Sequence, residues 1–228
     1  MSTGEEILAA NVNESAQKKN MVYSSIFADI VRNEYDLSSI ITEKKTIEKY
    51  DVSKSPVREA LLELCNDGIL ESIPRLGYRI KPISVKELMD ATEFRLIIET
   101  EALKKSFLKI TDEQIALLEA NYAEGLELKD IKDTYLHWDK NSKFHTLLCS
   151  FSENQFFTDT LKLLMKTCFR GANYYYDVPD CKERSSGDSS RHRIIIDRIK
   201  ARNYDGTIEI LSEDIVQIKS AIHLMAGF

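Results

Sequence analysis

Apolar residues recur at helical spacing along most of the chain. Val22, Ile26, Ile30 and Val31 mark one face of a helix over 21–33. A short polar helix follows over 42–50, with Thr42 as its N-cap. After the turn Tyr50-Asp51-Val52-Ser53, the residues Val57, Leu61 and Leu64 give the apolar face of a further helix. Ser53 or Ser55 can cap its first turn, and Pro56 sits where a missing N–H costs least. Gly68, after Asn66-Asp67, ends it. The period then changes: Ile69–Ile73 and Tyr78–Ile80 read as short strands around Pro74-Arg75-Leu76-Gly77, a hairpin or wing.

From Ser84 onward the pattern is helical only. The spacing predicts helices over 84–108, 112–128, 131–151, 153–176, 188–202 and 205–224. Ser84 can cap the first, with Glu87 at the capping-box position, and Thr111-Asp112 starts the second. Gly125 falls late in that helix, and Gly171 interrupts or loosens the fourth. Asp177 to Ser190, with Pro179 and Gly187, reads as a loop. The expected fold is therefore mostly α. Residues 1–18 form a flexible or weakly helical arm, and 19–82 a winged helix-turn-helix with a small β-wing. Residues 83–228 form an antiparallel all-α bundle.

Charge narrows the function. The chain carries a net −6, and over 1–82 acidic residues outnumber basic ones, so bulk charge does not draw it to nucleic acid. Attraction to DNA must come from placement: Lys44, Lys45, Lys49, Lys54, Arg58, Arg75, Arg79 and Lys81. Lys54, Ser55 and Arg58 lie near the positive end of the Ser53 helix, where phosphates are favoured. Cys65, Cys149, Cys168 and Cys181 show no C-x-x-C spacing, which removes zinc-ribbon and thioredoxin readings and fits a reducing cytosol. Cys168 and Cys181 read as buried or incidental thiols, with redox sensing as the alternative. With no bilayer-length apolar run and no signal-peptide pattern, the expected location is cytoplasmic, with no membrane partner.

Val52 to Leu61, then Leu64, Gly68, Pro74 and Gly77, closely resemble the GntR family of bacterial winged-helix regulators. The family's motif is V-S-R-T-P-V-R-E-A-L, followed by an E-G-L turn and a P-x-R-G wing. Lys54 stands where Arg is usual and Ser55 where Thr is usual, so a forked guanine contact is lost at Lys54. Leu37-Ser38-Ser39 replaces the usual Pro-Gly turn. The resemblance implies a DNA-binding set of Lys44, Ser53, Lys54, Ser55, Arg58, Arg75 and Gly77.

The helical half carries a second constellation. Asn141 and His145 share one helix face, and His192 begins a later helix. If the last two helices pack antiparallel, Asp214 reaches the level of His192. Two imidazoles and a carboxylate suit zinc, nickel, manganese or iron. This half looks like the ligand-binding domain of the FadR-type branch of that family, the FCD domain. Asn141 stands at the family's Asp and Asp214 at its last His. The implied metal set is Asn141, His145, His192 and Asp214, and the implied ligand-binding set is Arg95, His145 and His192. A metal-free pocket, as in acyl-CoA-binding members, is the alternative. Arg95, among Leu96, Ile97 and Ile98, faces the metal ligands or a bound carboxylate, or else pairs with Glu99 or Asp214. Tyr174-Tyr175-Tyr176 and Phe156-Phe157 read as packing or dimer contacts.

The reading is a bacterial transcriptional regulator and not an enzyme. Its partners are double-stranded operator DNA, a small organic-acid effector and a second copy of itself. Its rivals are a metal-dependent enzyme with an accessory helix-turn-helix, and a constitutive regulator whose sensor domain is ligand-free. No positioned general base or nucleophile supports the first rival.

Overall fold

The computed structural model describes residues 3–176 and 190–226, with side chains over 13–171 and 190–217. Cys181, Pro179 and Gly187 lie outside the described residues, as do the side chains of Tyr174, Tyr175 and Tyr176. The chain divides into two units, Met1–Pro82 and Ile83–Phe228.

The first unit holds α1 (Thr3–Val31), α2 (Glu43–Tyr50), α3 (Lys54–Asn66), β1 (Leu70–Ile73) and β2 (Gly77–Ile80). Val22, Ile26, Phe27 and Ile30 of α1 are buried, as are Val57, Leu61 and Leu64 of α3. α1 begins at Thr3 and runs through the segment expected as the arm, with an i,i+4 pair of Glu14 and Lys18 at 2.5 Å. Thr42 caps α2 by accepting from the Lys45 N–H at 3.3 Å. Asp51 takes a left-handed φ of 52° to turn the chain into α3. Where the family has Pro-Gly, Asp36 makes the turn: its carboxylate accepts from the backbone N–H and hydroxyl of Ser38, both at 2.9 Å.

β1 and β2 pair antiparallel with Leu70 opposite Ile80 and Ile73 opposite Gly77. Ile41 adds an isolated bridge to Tyr78 through two 2.8 Å backbone hydrogen bonds, which the sequence pattern does not reveal. Gly77 is fixed by this approach. Its φ is +133°, and a Cβ there would lie 2.5 Å from the Ile41 carbonyl oxygen.

The second unit is an antiparallel helical bundle: α4 (Val85–Ser106), α5 (Asp112–Glu127), α6 (Thr134–Ser150), α7 (Gln155–Tyr176), α8 (Ser190–Lys200) and α9 (Tyr204–Ala226). A single 3₁₀ turn, Phe107–Lys109, follows α4. Ser84 caps α4 by accepting from the Glu87 N–H, and Thr111 with Gln114 completes a capping box on α5. Asp133 caps α6, which starts three residues later than its apolar pattern suggests.

α4 is central, packed against α6, α7 and α9. Leu88 meets Gly171 and Thr92 meets Cys168, while Ile98 and Ala102 cluster with Leu161 and Met165, so α4 and α7 run antiparallel. Gly171 does not interrupt α7. The helix runs through it, and a Cβ there would come within 2.8 Å of Leu88, so the glycine serves close packing. Phe144, Leu148, Ile195, Ile199, Leu211 and Ile215 belong to the core that holds α6, α8 and α9 together.

Candidate functional site

In the first unit the exposed start of α3 carries the candidate DNA surface. Ser53 occupies the N-cap position (φ −62°, ψ 164°), but its side chain makes no capping hydrogen bond. Ser55 is turned to Glu59, with its hydroxyl donating at 2.9 Å. Neither serine is therefore a side-chain cap, and Lys54 and Arg58 are exposed in this first turn. Lys54 touches only the edge of Glu43, at 4.0 Å, with its side chain 73% exposed.

Lys44, Arg58 and Arg75 are exposed, and Arg75 takes φ 66° at the wing tip. Two other basic residues of this unit have internal work. Lys49 binds Asp29 at 2.7 Å and Glu34 at 3.4 Å, and Arg79 forks onto Glu71 at 2.6 and 2.9 Å. The cationic surface thus narrows toward α2, the start of α3 and the wing.

In the second unit, four helices deliver polar groups into one dry region. Arg95 and Glu99 are one turn apart on α4, and Arg95 Nε donates to Glu99 Oε1 at 2.5 Å. Glu99 Oε2 lies 2.6 Å from His145 Nδ1 on α6. His145 Nε2 lies 3.0 Å from Asp214 Oδ2 on α9, and His192 Nε2 on α8 lies 3.8 Å from the same oxygen. The two imidazole Nε2 atoms are 3.4 Å apart. Phe144 stacks on the His192 ring at 3.8 Å and fixes its plane. Asn141 is half-buried one turn before His145 on α6.

Carboxylate oxygens face both ring nitrogens of His145, an arrangement that favours the protonated ring where no metal is bound. Burial opposes that charge, but Glu99 and Asp214 outweigh it and hold the His145 pKa above its usual value. For His192, burial and then the neighbouring His145 charge drive the pKa down to about 3, leaving a neutral ring. Burial alone would raise Asp214. The His145 hydrogen bond and charge, helped by His192 and Arg95, bring it down to about 2. Glu99 is likewise held low by Arg95 and His145 against its burial.

The sequence marks Glu99 only as one partner for Arg95; the structure makes it the link between Arg95 and His145. Its local signal is a carboxylate four residues from an arginine, with apolar residues between them. Cys149 and Cys168 are buried free thiols, and burial pushes Cys149 up to about 12, so neither is primed for redox chemistry at neutral pH.

The paired histidines predict a pH profile. In metal-free protein near neutrality the folded pair holds one proton, on His145. Below the unfolded value of 6.5 the denatured chain holds two, so stability falls with acid until His192 titrates near 3. Above 6.5 the denatured chain holds none, so stability falls as pH rises through the raised His145 pKa. Denaturant titrations in chelator should give this pair a stability maximum near pH 6.5, with an acid limb of about 1.4 kcal/mol per pH unit and a decline on the alkaline side. His192→Phe should lose the acid limb. A wild-type profile without that limb contradicts the buried neutral ring.

His145, His192 and Asp214 present one donor atom each within 4.8 Å of one another. The donor set fits a divalent ion, since His192 is neutral and Glu99 on the far nitrogen of His145 orients that ring in the manner of metal-bound histidines.

A winged helix followed in the chain by a polar-cored helical bundle defines a class of DNA-binding regulators. The family description "Bacterial regulatory proteins, gntR family" matches residues 18–80, and the FCD domain matches residues 90–217, more than half the chain. The protein belongs to the GntR family, in the branch with an FCD domain, and is a transcriptional regulator rather than an enzyme.

It is 23% identical over 214 residues to the HTH-type transcriptional repressor RspR of Escherichia coli K12, covering 92% of this chain and 91% of that protein. It is 28% identical over 192 residues to the uncharacterized HTH-type transcriptional regulator YdhC of Bacillus subtilis, covering 82% of this chain and 79% of the other. The fold matches that of E. coli McbR/YncC with a TM-score of 0.77 at 17% identity, over 92% of this chain and 98% of that one. A GntR regulator from Rhodococcus sp. RHA1 matches with a TM-score of 0.69 at 16% identity, over 93% and 99%. No helix among the described residues is long and apolar enough to cross a membrane.

Proposed function

We propose that this regulator binds operator DNA as a homodimer and that an organic acid held in the helical unit controls the binding. On the DNA side, Lys54, Ser55 and Arg58 at the start of α3 enter the major groove, with Ser53 and the free first-turn N–H groups on phosphate. Lys44 and the wing, Arg75 with Gly77 shaping its base, contact the backbone. Two copies are needed because one winged helix reads too few base pairs for useful specificity. Phe94 and Ile97 on α4 and Leu163 on α7 are exposed apolar residues that support pairing through the helical half.

The observation that carries the effector reading is a buried, unfinished polar network. Arg95, 8% exposed at its side chain, has a terminal nitrogen, Nη2, without a hydrogen-bond partner. A guanidinium donor left open in a dry site matches a carboxylate. A divalent ion, where bound, is held by His145, His192 and Asp214, with Asn141 as a neutral and weaker fourth ligand. It would supply Lewis-acid charge to the effector's carboxylate.

Elemental analysis and melting curves test the metal. Chelation should lower the wild-type melting temperature and leave His145→Ala unmoved, and Asn141→Asp should bind the ion more tightly. No metal after reconstitution, with no effect of chelator, leaves a metal-free anion pocket. A thermal-shift screen of organic acids then tests the effector. No stabilising acid in either state supports the constitutive-regulator rival.

A further inference from the structure

We propose that Glu59 reads a cytosine in the major groove of the operator, with Ser55 holding its carboxylate in place. The proposal rests on α3 being the reading helix, as argued above, and adds a base-specifying residue of opposite charge.

The outer face of α3 carries two rows of exposed side chains. Lys54 and Arg58 form one, and Ser55 and Glu59 the other, with Leu62 beyond them. Residues four apart lie one above the other on a helix, which brings Ser55 to Glu59. The Ser55 hydroxyl donates to Glu59 Oε1 at 2.9 Å. Among the described residues no cation pairs with Glu59, and its Oε2 has no partner.

Nearby carboxylates differ. Glu63, one turn further along α3, binds Lys19 at 2.7 Å, and Glu43 approaches Lys54 at 4.0 Å. In the wing, Glu71 binds Arg79 at 2.6 Å. Their charges are answered within the unit, whereas that of Glu59 is presented on the helix face that meets DNA.

Base chemistry selects the partner. Phosphates repel a carboxylate, so one placed on this face needs a donor to meet. A carboxylate is an acceptor only. In the major groove cytosine offers a lone donor, its N4 amino group, and guanine and thymine offer acceptors at their polar edges. Adenine sets an acceptor, N7, beside its amino group. Against any base but cytosine, the carboxylate loses water without gaining a full partner.

The adjoining row complements this. Lys54 and Arg58 supply the donors that guanine takes at O6 and N7, so one helix face serves both members of a G·C pair. Ser55 orients Glu59 before DNA arrives, which reduces the side-chain freedom lost on binding.

The test uses the full chain and an operator that the wild type selects from random DNA. Fluorescence anisotropy then measures each single-base variant of that operator against wild type, Glu59→Ala, Glu59→Gln and Ser55→Ala. One cytosine in each half-site should matter to the wild type, with any other base there weakening binding at least about fivefold. Glu59→Ala should reduce that preference to below about twofold and leave discrimination at other positions intact. Glu59→Gln should prefer adenine there, because an amide pairs with N6 and N7 together. Ser55→Ala should keep the cytosine preference in weakened form. All three substitutions are at exposed positions, so melting temperatures should stay at the wild-type value.

Two patterns overturn the proposal. Glu59→Ala that weakens every sequence alike makes Glu59 a residue of the fold. Glu59→Ala that tightens every sequence alike, with a steeper salt slope, makes it only a charge that repels phosphate. A cytosine preference that survives in both Glu59 variants also overturns it. Wild-type binding by the Lys54→Ala, Arg58→Ala double variant removes α3 as the reading helix, and the proposal falls with that reading. Loss of binding there with unchanged base preference in the Glu59 variants sinks the cytosine contact alone.

Discussion

Glu99→Ala should destabilise the chain by about 3–5 kcal/mol, the cost of removing one partner from a buried charged network. The residue answers two cations at once, Arg95 at 2.5 Å and His145 at 2.6 Å, and all three side chains are buried. Alanine leaves a guanidinium and an imidazolium facing each other in a dry core. Domains of this size have only about 5–15 kcal/mol to lose, so the variant should sit near the edge of folding. Glu99→Gln keeps an acceptor but not the charge and should lose less. Arg95→Met combined with Glu99→Gln should cost less than the sum of the two single changes, since each removes the other's unpaired partner. Denaturant titration of the four proteins measures the coupling. A loss below about 1 kcal/mol for Glu99→Ala would place this network in the class of exposed ion pairs and contradict its burial.

The second large effect is on DNA. Lys54→Ala with Arg58→Ala should abolish specific operator binding while leaving the melting temperature unchanged. Both side chains are exposed at the start of α3, and Lys54 gives up only a 4.0 Å approach to Glu43. Each base contact is worth about 1–3 kcal/mol of discrimination, and removing one phosphate contact lowers the salt slope by about one. Arg75→Ala should weaken binding less, because a wing contact to the backbone positions more than it specifies. Unchanged gel-shift binding by the double variant removes α3 as the reading helix.

The DNA-reading unit is far more legible in the sequence than the buried network. Its signals are local chemistry: Thr42 as a cap, Pro56 in a first turn, a hairpin around Gly77, and Val57, Leu61 and Leu64 on one face. Each signal spans a few residues and survives folding unchanged. The exceptions are long-range. Lys49 is claimed by Asp29, twenty residues away, and Gly77 is required by the Ile41 carbonyl on another segment, so neither role shows in the local pattern.

The helical half is legible only in outline. His192 and Asp214 come together because α8 and α9 fold back on each other, a consequence of helix order. Glu99 bonds His145 across 46 positions, which periodicity cannot report. Gly171 shows the same limit: its spacing suggests a break, but its neighbour Leu88 on α4 makes it a packing position within an intact helix. The serines at the start of α3 look like caps because hydroxyls commonly are, and the fold leaves one uncommitted and turns the other to Glu59.

If the buried network of the helical unit governs DNA binding by the winged unit, the two sites must be thermodynamically coupled. The most direct measurement is a fluorescence-anisotropy titration of the full chain on an operator selected from random DNA by the protein itself. It is run with and without the organic acid that most raises the melting temperature. Saturating acid should change operator affinity by about 5–150-fold, and operator DNA should change acid affinity by the same factor. Acid that saturates the bundle and leaves operator affinity unchanged would contradict that control.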